Sequence, residues 1–198
     1  MALGNWNAQN RIYRNESGVL TAVWDSVESD STRSLAWGDY NGDGFLDLAV
    51  GNDYEPNRIY RNSGGVLAES AEWSLPKSAS TNCIAWGDVD GDGDLDLAVG
   101  NVDAPNYLYR NDRGALFGIP VWTSTESDDT KSVAWGDMDG DGDLDLAVGN
   151  EGRTGYTEMK AASWTRPHFG LRMNRIQRKA FLLAISTLTV TWTFSPGI

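Results

Sequence analysis

Apolar and polar residues alternate in short runs over the first 150 positions and never sustain a 3.6-residue period. In F-L-D-L-A-V (45–50), Leu46, Leu48 and Val50 fall on one side of an extended strand. S-L-A-W-G (34–38) precedes it, R-I-Y-R (58–61) follows, and V-L-A-E-S-A-E-W (66–73) closes the set. Asn and Gly turn residues separate these runs, so four short strands are predicted and no helix.

The set repeats. Trp37, Trp86 and Trp135 stand 49 residues apart, and each opens W-G-D and leads to L-D-L-A-V-G-N. N-R-I-Y-R-N occurs at 10–15 and 57–62, and N-Y-L-Y-R-N at 106–111. The chain divides into a partial leading unit (1–33), two repeats (34–82 and 83–131), the start of a third (132–153) and an irregular tail (154–198). Four strands in a unit of this length are the signature of a β-propeller blade. The expected fold is all-β, a partial propeller of four-stranded blades, with Trp37 and its equivalents packed between blades.

Between the first and second strands of each repeat the sequence is strongly acidic. The first loop offers Asp39, Asn41, Asp43 and Asp47, the second Asp88, Asp90, Asp92 and Asp96, and the third Asp137, Asp139, Asp141 and Asp145. These are positions 1, 3, 5 and 9 of a calcium loop, a spacing that turns alternate side chains toward one centre. Gly44, Gly93 and Gly142 at position 6 permit the sharp turn. Position 7 contributes its backbone carbonyl in such loops, which accommodates Phe45, Asp94 and Asp143 there. An EF-hand carries a bidentate Glu at position 12, whereas this chain has Val50, Val99 and Val148. The loop therefore reads as a calcium loop set in a β-hairpin, with about three Ca2+ sites in the chain. An unoccupied Asp/Gly turn is the alternative, and threefold recurrence of the ligand spacing speaks against it. Magnesium fits less well, because it prefers few carboxylates and several waters.

The motif W-G-D-x-[DN]-G-D-G-x-L-D-L-A-V-G-N resembles the FG-GAP repeats of integrin α-subunits and the related VCBS repeats of bacterial surface proteins. The resemblance covers residues 1 to about 153 and departs from the name-giving pattern, with Trp before Gly and Gly-Asn in place of Gly-Ala-Pro. It implies a propeller with calcium in hairpin loops and an extracellular or cell-surface parent. It also implies a role in adhesion or in binding a protein or glycan. The start, MALGNWNAQN, has neither the basic residues nor the apolar run of a signal peptide.

Composition narrows the function classes. Net charge is -12. Residues 1–150 hold 9 Lys/Arg and 26 Asp/Glu, whereas 151–198 hold 7 Lys/Arg and 2 Glu. The acidic body argues against nucleic acid as a partner and suits metal cations. The lone Cys83 excludes a disulfide framework and matches Ser34 and Ser132 one repeat away, as a small buried residue would. AFLLAISTLTVTWTF (180–194) is shorter than a membrane-spanning helix requires. Neither a nucleophile–base pair nor a phosphate loop is evident, so no enzyme is expected. A lectin-like, carbohydrate-binding propeller is the alternative function. A dockerin-like calcium module would need a helix after each loop, against the strand pattern.

The tail breaks the cycle, and translation one base out of frame restores it. From Arg153 the shifted codons permit Asn-Arg-Val-Tyr-Arg-Asn-Glu-Gly-Gly, the missing third strand and turn. Met173-Asn174 forces a Glu, and Trp192-Thr193 forces an Asp at the place of Asp145. Residues from about 153 thus read as a frame-shifted fourth repeat, in which His168 has no evolved role. Without further blades the ring is not closed, and the chain reads as a fragment.

Overall fold

A computed structural model describes residues 1–75 and 79–151 and the backbone of 154–157. The chain divides into two units, Met1–Ser163 and Trp164–Ile198, and all described residues belong to the first. Among them every regular element is a β-strand. The frame-shifted fourth repeat expected from about residue 153 lies outside the described residues, apart from the backbone of 154–157.

The first sheet holds β1 (Ala2–Leu3), β2 (Arg11–Glu16) and β3 (Val19–Asp25), in that order. The second holds β4 (Thr32–Gly38), β5 (Asp47–Asn52), β6 (Arg58–Tyr60) and a short outer strand. Before that outer strand, β7 (Asn62–Ser63) and β8 (Val66–Leu67) form a separate small hairpin. β9 (Trp73–Ser74) then completes the order β4-β5-β6-β9, antiparallel throughout. The third sheet repeats this with β10 (Ser80–Gly87), β11 (Asp96–Val102) and β12 (Tyr107–Tyr109). Its hairpin is β13 (Asn111–Asp112) with β14 (Ala115–Leu116), and its outer strand is β15 (Trp122–Thr123). The fourth has β16 (Thr130–Gly136), β17 (Asp145–Asn150) and β18 (Thr154–Thr157).

Two expectations need correction. The fourth strand is not one run over 66–73: it is split between the hairpin strand β8 and the outer strand β9. Trp24 follows Gly18 by six positions, and β3 is continuous. Trp73 follows Gly65 by eight, and the two extra residues break the run. Leu46 also does not share a face with Leu48 and Val50. It belongs to the loop and is 55% exposed, because β5 begins only at Asp47.

β5 and β11 are buried on both faces, since each lies inside a sheet that has a sheet on either side. Leu48, Val50 and Tyr60 pack with Ile12 and Trp24 of the first sheet. On the opposite face, Ala49 and Ile59 join Ile84, Leu97 and Val99 of the third. Period-2 alternation thus supplies two cores rather than one apolar and one wet face.

Two devices tie each sheet to the next. The Trp86 indole N–H donates to the Ala36 carbonyl at 3.3 Å, and that of Trp135 to the Ala85 carbonyl at 3.5 Å. Both Trp residues are half-buried, whereas Trp37 is 42% exposed because the first sheet has no strand equivalent to β4. The second device is a buried polar seam. Asn57 Nδ2 donates to Thr81 Oγ1, and Asn106 Nδ2 to Thr130 Oγ1, each at 2.9 Å. Each Asn is positioned in turn by the backbone N–H of Asn52 or Asn101, which donates to its Oδ1.

Candidate metal centre

The three acidic loops join β4 to β5, β10 to β11 and β16 to β17. Each is wrapped around its own carboxylates. In the second loop, Asp88 accepts from the Asp92 and Gly93 N–H groups, both at 3.0 Å. Asp90 accepts from Asp92 N–H, and Asp92 from Asp94 N–H. The first loop matches: Asp39 accepts from Asp43 and Gly44, Asn41 from Asp43, and Asp43 from Phe45. In the third, Asp137 accepts from Gly140 and Gly142, Asp139 from Asp141, and Asp141 from Asp143. The position-6 glycines are left-handed, with φ of 90°, 95° and 94°. So are Gly42, Gly91 and Gly140 at position 4, a second turn requirement that spacing alone did not single out.

Position 9 is the anchor. Asp47 and Asp96 are fully buried. Asp96 accepts from Val89 N–H at 3.1 Å and from Asn111 N–H at 2.9 Å. Asp47 accepts from Tyr40 at 3.2 Å and Asn62 at 2.6 Å, and Asp145 from Met138 at 2.8 Å. One carboxylate therefore pins the start of the loop and, in the first two copies, the hairpin after the third strand. Burial pushes the Asp96 carboxyl up to about 7, against the two N–H donors, and the neighbouring Asp90 and Asp92 add to the rise. Burial raises Asp47 as well, and burial followed by Asp141 raises Asp143.

Oxygens of Asp88, Asp90 and Asp96 lie within 4.8 Å of one another, and the same holds for Asp137, Asp139 and Asp145. In the first loop Asn41 is at position 3, and its Nδ2 reaches Asp47 at 3.3 Å. The Asp94 side chain turns away to accept from Arg113 N–H at 2.9 Å, while Phe45 is 41% exposed. The donors are all hard oxygens, without thiolate or imidazole, and a partly buried cluster of like charges favours a cation among them.

Two arginines that the loop spacing does not disclose meet these carboxylates. Arg110 Nη2 lies 2.9 Å from Asp90 Oδ2 and 3.1 Å from Asp92 Oδ2. Arg61 Nη2 lies 3.7 Å from Asp43 Oδ2, and Arg61 Nη1 is 3.5 Å from Glu72. Their signal was present in the repeated Tyr-Arg-Asn of the third strand.

The model of the FG-GAP-like repeat family matches three times, at residues 1–50, 39–99 and 88–148. The matches cover most of the chain, which belongs to the FG-GAP-like repeat family. A comparison with curated proteins gives no match. Among the described residues, no helix is long and apolar enough to cross a membrane.

Proposed function

We propose that this chain is a calcium-binding β-propeller segment of a surface or secreted adhesion or binding protein, and that it performs no catalysis. The observation that carries the reading is the convergence of Asp88, Asp90 and Asp96 oxygens within 4.8 Å, repeated by Asp137, Asp139 and Asp145. In each loop the residues at positions 1, 3, 5 and 9 would hold the ion. Bound calcium supplies positive charge alone. It would offset the repulsion that the Asp side chains now bear through N–H donors and arginine. The sheets are the blades, and the loops repeat with them.

The chain's own contribution is rigidity. Asp96 links the loop to the hairpin at Asn111, and Asn111 Nδ2 reaches the Tyr40 carbonyl of the first acidic loop at 2.6 Å. An ion on Asp96 would thereby stiffen the contact between blades, which is the surface a binding protein must hold in shape. The acidic spacing is accounted for by a cation and needs no acid–base pair.

Calcium titration of the full chain by calorimetry tests the reading. Binding is expected near the weak extracellular range, on the order of 0.1 mM, with loss of one site in Asp92→Ala. A flat titration up to millimolar calcium would overturn it.

A further inference from the structure

We infer that Arg110 is a tethered counter-cation of the second loop, which shares the ligand oxygens of Asp90 and Asp92 and so sets that loop's calcium affinity below what its carboxylates alone would give. The inference rests on the calcium reading of the loops and adds a residue that opposes binding.

Arg110 follows β12 and reaches across to the loop between β10 and β11. A single nitrogen, Nη2, contacts both Asp90 Oδ2 and Asp92 Oδ2, at 2.9 and 3.1 Å. The Arg110 side chain is three-quarters buried, and its Nε has no hydrogen-bond partner. Among the described residues its ion pairs are with those two carboxylates, which offset the cost of burying the charge. Asp90 is one of the three residues whose oxygens converge. The contact therefore falls on a carboxylate of the converging set, Asp90, and on its loop neighbour Asp92.

Two charges this close to one set of oxygens cannot act independently. The guanidinium lowers the negative potential of the loop and gives it structure without metal. A dication must then share or displace it, working against a positive charge a few ångströms away. The first loop is held more loosely: Arg61 stands 3.7 Å from Asp43 and divides its charge with Glu72. Among the described residues, no arginine or lysine forms a salt bridge with the third loop. The first two loops thus share a ligand pattern and differ in how closely an arginine holds it.

The test uses the full chain with Asp39→Asn and Asp137→Asn, so that calorimetric heat with calcium reports the second loop. In this background Arg110→Met, which keeps the aliphatic packing, is expected to bind calcium at least about tenfold more tightly. Arg110→Lys, which keeps the charge, is expected within about threefold of the parent. Melting in chelator should fall for Arg110→Met, and the gap to the parent should close in calcium. Unchanged or weaker binding in Arg110→Met, or an equal melting loss in both buffers, would show a merely structural arginine and overturn the inference while leaving the calcium reading intact. Absence of calcium binding in the unaltered chain would overturn the calcium reading itself, and this inference with it.

Discussion

Trp86 lies flat against Gly38. A Cβ added to that glycine would stand 2.6 Å from the indole Cδ1, and Trp135 meets Gly87 at the same distance. The Trp86-Gly87 pair thus serves two contacts, with Trp86 packing on the preceding sheet and Gly87 receiving Trp135. Gly38→Ala and Gly87→Ala force the rings outward and should each cost about 1–3 kcal/mol. Around Gly136 nothing among the described residues lies within 4 Å, and Gly136→Ala should stay within about 0.5 kcal/mol of the unaltered chain. Urea denaturation of the three variants in calcium buffer checks the contrast. Equal losses would mean that the glycines matter for their own strands and not for the contact between sheets.

The asparagine seam carries the second prediction. Asn106→Ala removes the amide that accepts from Asn101 N–H and donates to Thr130 Oγ1, leaving a buried backbone donor unpaired. The expected loss is about 1–3 kcal/mol, and Asn57→Ala should match it through Asn52 and Thr81. Faster amide exchange at Asn101 in the Asn106 variant is the local readout.

These two contacts differ in how far the sequence discloses them. The 49-residue period of Trp37, Trp86 and Trp135 pointed to packing between sheets, and two of the three residues do so. Trp37 has no W-G strand beneath it. The acidic positions were readable because metal ligands in a turn obey a local spacing. Arg110 was not, because its partners lie 18 and 20 residues away and the meeting depends on where strand β12 sits beside the loop. The split of the fourth strand hinged on two inserted residues, whose effect on pairing is decided by the sheet and not by local propensity.

Asp92→Ala gives the third prediction. Its carboxylate accepts from Asp94 N–H and pairs with Arg110. Removing it should abolish most of one site's calcium-dependent stabilisation, about 1.8 kcal/mol at ~2 mM calcium for a ~0.1 mM site. The other two sites should titrate as before. Loss of all three together would show that the loops do not bind independently.

Cys83 makes the fourth. Its thiol is largely buried, with Sγ 4.0 Å from the Gly100 carbonyl, and burial pushes its pKa up from 9.0 to about 11. A raised folded-state value means that the neutral thiol's contribution is complete below pH 9 and is lost as pH rises toward 11. Stability of the unaltered chain should fall across that window, and Cys83→Ala should fall less, by on the order of 2 kcal/mol. Denaturation midpoints at pH 8, 9.5 and 11 measure the difference. Identical slopes in both proteins would mean that the thiol ionises as readily folded as unfolded.

If calcium holds the acidic loops to the sheets, thermal melting of the full chain must differ between ~2 mM calcium and excess chelator. Three weak sites at about 1.8 kcal/mol each predict a melting temperature higher in calcium by at least about 5 °C, with the rise largely absent when magnesium replaces calcium. Coincident melting curves in calcium and chelator would contradict it.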